Sequence, residues 1–332
     1  MKAIYLDCFS GLSGNMLLGA FLAAGVPLSY LEGELQKLLG TETFRLHVSA
    51  VKRSGIAATY VEVEDISAAH AHGEHGTHDH AGQGTHPHRT MREIRNLLAA
   101  SPIVDAVKEK ALAVFSCLAE AEGEVHGLPP EEVHFHEVGA VDSIVDIVGT
   151  ALALEYLAIE KVFVSRVNTG SGYVDCAHGR MMVPAPATAA LLRGIPFYHN
   201  DEQRELTTPT GAAVVHALAA YANYLPAGFQ PDQIAYGAGT WELVTPNVLR
   251  VYVGEYEERQ TVKQYIIETN IDDMNPQNYE YVFDRLLAAG ALDVWLTPIM
   301  MKKSRPAAAL SVLVEEACRE RCTDILFRET TS

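Results

Sequence analysis

Basic residues are scarce in this chain. Lysine and arginine number 25 against 42 aspartates and glutamates, a formal net charge of −17. A surface that acidic repels polyanions, so neither nucleic acid nor an anionic membrane is an expected partner. Cysteine is also rare. The five cysteines, Cys8, Cys117, Cys176, Cys318 and Cys322, are widely spaced and form no CxxC pair. That excludes a disulfide framework and a zinc-ribbon pattern, and it fits a reducing cytoplasm. Long apolar runs are missing too: nothing approaches the roughly 20 residues that span a bilayer. The N-terminus, MKAIYLDCFSG, turns polar within a few residues, unlike a secretory leader.

What is present is an ordinary globular composition, 48% hydrophobic and 20% charged over 332 residues. That length suggests roughly two domains. Residues 2–9 read as a strand, GLSGN (11–15) as a turn and MLLGAFLAAGV (16–26) as a helix, the opening of an α/β domain. A helix follows at 29–39, with Ser29 and Glu32 as its expected capping box. Two strands joined at KRSG cover 44–66. Helices are predicted at 90–101, capped by Thr90 and Glu93, at 103–127 and at 142–158. AYGAGTWE (235–242) reads as a glycine-rich loop. A charged stretch near 255–263 marks the boundary between an N-terminal α/β domain, 1–258, and a small unit, 259–332. The latter reads β-α-β-β-α, five of the six elements of a ferredoxin-like split βαβ fold. The closing strand is expected just beyond ETTS. The fold class is therefore α/β (α+β).

Four groups of residues bear on chemistry. HAHGEHGTHDHAGQGTHPH carries His70, His72, His75, His78, His80, His86 and His88 in a loop over 68–89. Imidazole suits Ni²⁺, Cu²⁺ or Zn²⁺, and a loop with several ligand sets suits capture and delivery. A solvated linker is the plainer reading. HFHEVGAVDSIVDIVG places His134, His136, Glu137, Asp142 and Asp146 within thirteen residues. Asp142 and Asp146 share one face of an otherwise apolar helix. A carboxylate there is costly without a partner, so this segment is a candidate for proton transfer or cation binding. LDCFSGLSGNM sets Asp7, Ser10 and Ser13 before a helix N-terminus, a natural anion site or simply a tight turn; TTPTGAA and NTGSG have the same ambiguity. Finally, Asp272 and Asp273 end the first strand of the small unit, and Lys302, Lys303 and Arg305 follow its second. Paired carboxylates with a basic cluster suit a metal-bridged polyphosphate, or else form a charged hairpin.

In this order, and over essentially the whole chain, these motifs resemble the LarC family of nickel-insertion proteins. That resemblance implies a CTP-dependent nickel cyclometallase of the lyase class, assisted by Mg²⁺ or Mn²⁺. Its substrate would be pyridinium-3,5-bisthiocarboxylic acid mononucleotide, and its product the nickel-pincer nucleotide delivered to lactate racemase apoenzyme. The histidine loop would gather Ni²⁺. Asp272, Asp273, Lys302, Lys303 and Arg305 would form the CTP–metal site. His134, His136, Glu137 and Asp146 would be the proton acceptor or transient nickel ligands, beside a precursor held near Asp7, Ser10 and Ser13. A homo-oligomer is the expected assembly. A nickel metallochaperone without turnover and a metal-dependent phosphohydrolase are the competing readings.

Overall fold

The computed structural model describes residues 1–66, 89–133, 135, 141–176, 179–258 and 263–331. The chain divides into two compact units, Met1–Glu258 and Arg259–Ser332. The first opens with β1 (Lys2–Asp7), α1 (Gly14–Ala23) and α2 (Leu28–Leu39), then the hairpin of β2 (Phe44–Arg53) and β3 (Ile56–Asp65). Helices α3 (Met91–Ala100), α4 (Asp105–His126) and α5 (Val141–Tyr156) follow. Next come β4 (Lys161–Val164) and three short strands, β5 (Val167–Asn168), β6 (Tyr173–Cys176) and β7 (Gly179–Met182). The unit closes with α6 (Pro186–Leu191), β8 (Phe197–Tyr198), α7 (Pro209–Leu218), β9 (Ala219–Tyr221), β10 (Phe229–Ala238) and β11 (Val248–Tyr256).

Seven of these strands form one mixed sheet in the order β2-β3-β10-β11-β1-β4-β9. Central β1 runs antiparallel to β11 and parallel to β4. The period-2 alternation of a strand sorts its side chains. Ile4 and Leu6 join the large core built with the helices, whereas Ala3 and Tyr5 pack with Phe163 and Phe229 in a separate cluster. Helix α1 crosses β3 and β10 at close range. A Cβ on Gly19 would lie 2.2 Å from the Thr59 carbonyl oxygen, and one on Gly237 would lie 1.8 Å from that of Met16. Glycine at both points lets helix and sheet backbones touch.

The Thr90–Glu93 capping box forms as expected. The cap expected at Ser29 does not: α2 starts earlier, at Leu28, with Pro27 as its N-cap. Residues 235–238, expected in a loop, are the end of β10. Pro231 and a register shift before Gln233 interrupt the alternation that would have revealed that strand.

The second unit comprises β12 (Gln264–Ile271), α8 (Asn278–Ala288), β13 (Asp293–Met301), β14 (Arg305–Glu315) and α9 (Glu316–Glu329). Its sheet order is β12-β14-β13, antiparallel throughout. β14 lies between the two strands that α8 connects, which is the split βαβ arrangement. Leu310, Val312 and Val314, alternating along β14, pack with Val282 and Leu286 of α8 and Leu326 of α9.

The Gly237 contact yields a stability test. Gly237→Ala drives a methyl group into backbone and is expected to destabilise the N-terminal unit by about 2 kcal/mol or more. A lower urea midpoint in equilibrium unfolding would show it; an unchanged midpoint would mean that α1 lifts off the sheet without cost.

Candidate active site

Three chain segments far apart in sequence are laced together at the C-terminal end of β1. Leu12 N–H donates to the Leu206 carbonyl at 2.9 Å, and Thr208 N–H returns to that of Leu12 at 3.0 Å. Asn168 N–H donates to the Cys8 carbonyl, while its side-chain amide reaches that of Phe9 at 2.9 Å. The turn needs glycine. Gly11 sits at φ 92°, and a Cβ there would meet the Leu206 carbonyl oxygen at 2.0 Å. LDCFSGLSGNM, NTGSG and TTPTGAA, each ambiguous alone, thus form one structure. A fourth segment is pinned to them by Asn247, whose Nδ2 donates to the Ser10 carbonyl and whose Oδ1 accepts from Trp241 N–H.

This lacing brings the N-termini of α1 and α7 to the rim of a cleft of two joined hollows, about 450 and 330 Å³. Ser13, Asn15, Glu205, Thr208 and Thr240 line both. The first turn of α5 adds Asp142, Ser143 and Asp146 to the smaller hollow. Three helix N-termini therefore face one cavity. The first N–H groups of each helix have no acceptor within it, and each end carries partial positive charge. Thr208 caps α7 by accepting from Gly211 N–H at 3.3 Å, which leaves its hydroxyl proton available.

Asp146 is the chemical focus. Its carboxyl lies against the first residue of α1, where a Cβ on Gly14 would be 2.1 Å from Oδ2. Its other oxygen, Oδ1, is buried without a hydrogen-bond partner. Burial, followed by the negative charge of Asp142, pushes the Asp146 carboxyl well above the ordinary carboxylate range. A carboxyl of that kind is a stronger proton acceptor than an exposed one.

The other expected residues fall into three groups. Ser13 borders the cleft and donates to Asn15 Oδ1 at 2.5 Å. Ser10 is buried just behind it, its hydroxyl without a partner. Asp7 points elsewhere: it accepts from Arg250 Nε at 3.0 Å and from Arg250 Nη2, and the guanidinium stacks over Phe9 and Tyr252. In the second unit, Asp272 and Arg305 meet in an ion pair at 3.1 Å, and Asp273 accepts from the Thr331 hydroxyl. Lys302 and Lys303 are exposed in the connection between β13 and β14, where Lys303 and Ser304 both adopt positive φ. His70, His72, His75, His78, His80, His86, His88, His134, His136 and Glu137 lie outside the described residues. Among the described residues no group of three or more histidine, cysteine or acidic side chains is placed to hold a metal.

The sequence reading missed Arg204, Trp241 and Glu62, all of which line the cleft. Arg204 stands 4.3 Å over the Trp241 ring. The signal for Arg204 was available in principle, as a lone cation in DEQRELTTP beside a hydroxyl-rich turn.

A profile of the nickel insertion protein family matches residues 4–332. The chain belongs to this family. Among nickel insertion proteins of known name, the pyridinium-3,5-bisthiocarboxylic acid mononucleotide nickel insertion protein of Clostridium kluyveri is 46% identical over 333 residues, covering 100% of this chain and 82% of that one. Its counterpart in Clostridium acetobutylicum is 47% identical over 351 residues, covering 100% and 83%. A solved structure, the apo form of LarC2, the C-terminal domain of a cyclometallase involved in synthesis of the NPN cofactor of lactate racemase, is 44% identical. It covers 20% of this chain and 47% of its own, with a TM-score of 0.20.

The Asp146 carboxyl of this nickel insertion protein has a stability signature. Between the ordinary carboxyl value, about 4, and the raised value of Asp146, the native state holds a proton that the unfolded chain has released. Stability therefore falls as pH rises through that window and levels off above it. Asp146→Asn is expected to gain on the wild type as pH rises from about 4, measured by urea unfolding across pH. A variant that loses ground with rising pH would show that the native state favours the charged form.

Proposed function

We propose that this protein inserts nickel into pyridinium-3,5-bisthiocarboxylic acid mononucleotide, at the expense of CTP, to form the nickel-pincer cofactor used by lactate racemase. Family membership supports nickel insertion. The observation that carries the chemistry is Asp146, half-buried on the wall of a cleft at three helix N-termini, with its Oδ1 buried and without a hydrogen-bond partner.

The reaction makes bonds from nickel to a ring carbon and to sulfur. The carbon–nickel bond replaces a ring C–H bond, so one proton must leave. Asp146 accepts that proton, and its raised proton affinity favours the transfer. His134, His136 and Glu137, in the segment just before α5, are further candidates for the acceptor or for passing nickel ligands. The seven histidines between 70 and 88 gather Ni²⁺ from solution. Support for their working on this cleft is the neighbouring chain: β3, which leads into that stretch, and α5, which follows the other, both contribute cleft-lining residues.

CTP belongs to the second unit. Asp272 and Asp273 are adjacent carboxylates, and Lys302, Lys303 and Arg305 are close in chain, with Arg305 tied to Asp272. Mg²⁺ or Mn²⁺ commonly takes one or two carboxylates and completes its shell with water and phosphate oxygens. That donor set fits a cation brought in with the triphosphate, and the lysines supply phosphate contacts.

Reconstitution tests the proposal. Full-length protein with precursor, Ni²⁺, Mg²⁺ and CTP is expected to yield a nickel-bearing product by mass spectrometry, active with racemase apoenzyme. No product, or equal product without CTP, would refute it. Removing residues 70–88 is expected to depress the rate at limiting nickel and to be rescued by excess nickel. A loss that nickel cannot rescue would favour a metallochaperone. Lys303→Ala combined with Arg305→Ala is expected to raise the KM for CTP by about tenfold or more, as for loss of charge-assisted phosphate contacts.

A further inference from the structure

Trp241 sits on a well-anchored loop, residues 239–247. That loop is tied to the β2–β3 turn: Arg53 Nε donates to the Gly239 carbonyl at 2.9 Å, Arg53 Nη1 pairs with Glu242 at 2.9 Å, and the Ser54 hydroxyl donates to the Leu243 carbonyl at 2.6 Å. Asn247 closes it from within by accepting from Trp241 N–H at 3.0 Å. The indole is nevertheless 40% exposed, and it lines the larger hollow. Arg204, also exposed, stands 4.3 Å from the centre of that ring, and among the described residues its guanidinium makes no ion pair. A large aromatic fixed by its backbone and left bare in a cleft offers a flat surface. An arginine held against it offers a fork of N–H groups. We propose that Trp241 and Arg204 are specificity residues for the substrate's ring: the ring stacks on this aromatic–guanidinium pair, and Arg204 holds one of its thiocarboxylates.

The chemistry matches. A pyridinium ring is planar, so stacking recognises it, whereas a stack does nothing for a tetrahedral anion. The thiocarboxylates it bears are ionised near neutral pH, and a guanidinium pairs with a planar anion of that kind through two parallel N–H contacts. Asp175 and Glu205 line the same hollow and repel any anion. A small anion without a ring therefore gains too little from Arg204 alone, and the stack and the fork together admit an aromatic acid. The position also suits the reaction. Thr240 precedes Trp241 and Glu205 follows Arg204, and both line the two hollows alike. A ring held on the pair lies beside the opening to the hollow that Asp146 lines. Cytosine is planar too but carries no carboxylate, so the pair favours the substrate ring over the base of CTP.

This assignment rests on the reading that the substrate is a pyridinium bisthiocarboxylate, and it is tested by binding to the full chain without nickel or CTP. The chain has two tryptophans, Trp241 and Trp295. Trp295→Phe, in β13 of the second unit, leaves Trp241 as the sole indole emitter. Pyridine-3,5-dicarboxylate is the probe, and its diamide is the uncharged control. The dicarboxylate is expected to quench Trp241 saturably and to bind at least about tenfold tighter than the diamide, as for a charge-assisted contact. Arg204→Gln is expected to bring the two to the same affinity while both still quench. In calorimetric titrations, Trp241→Ala is expected to weaken both probes by about tenfold, and Trp241→Phe to recover most of that loss. Quenching that never saturates would overturn the proposal, as would a dicarboxylate preference that survives Arg204→Gln. So would unchanged binding in Trp241→Ala, or cytidine quenching as tightly as the dicarboxylate. If the probes behave as expected while reconstituted protein inserts no nickel, the reaction reading fails and the ring site stands.

Discussion

The carboxyl of Asp146 rests on the first residue of α1, and the absence of a side chain at Gly14 is what allows it. Much follows from that contact. It brings α1 and α5 close, puts a titratable group on the wall of a cleft, and leaves one of its oxygens without a donor. A buried carboxyl without a partner costs stability. Proteins retain such costs chiefly where the group has work to do, because the strain of one site is carried by the rest of the fold. Here that support is a large helix-backed core spread over β1, β4, β10 and β11.

Two opposed fields meet in the cleft. Helix N-termini favour negative charge, while the carboxylates of Glu62, Asp142 and Glu205 favour positive charge. A simple anion or a simple cation satisfies one and offends the other. The second unit is simpler: an ion pair at the strand end, and lysines on a tight connection in which two non-glycine residues adopt positive φ. Backbone of that kind costs of the order of 1 kcal/mol per residue and tends to persist at functional loops.

Much of this architecture could be read from the residues. The elements of the second unit emerged because β12 alternates cleanly, apolar residues recur along β14, and α8 is amphipathic. Thr90 and Glu93 announced the start of α3 through a purely local interaction. Local signals failed where a longer-range factor decided. Ser29 lost the capping role because Pro27, with φ already near −69°, starts the helix sooner. The end of β10 passed for a loop because Gly237 is there for the closeness of α1, not for a turn. Asp146 was legible as an anomaly, a carboxylate on an apolar helix. The place of Arg204 and Trp241 beside Ser13 was not, since it depends on contacts that span nearly two hundred residues or more, and the lone cation of DEQRELTTP hinted only at Arg204.

Those spans have a bearing on biosynthesis. The lacing of Leu12 to Leu206 and Thr208, and of Ser10 to Asn247, joins the start of the unit to its end. Closing so long a loop comes late in folding, after local helices and hairpins. On a ribosome, the cleft cannot exist until Asn247 has left the exit tunnel. Anything that binds there binds a finished N-terminal unit, and by mass action it holds that unit together from first residue to last.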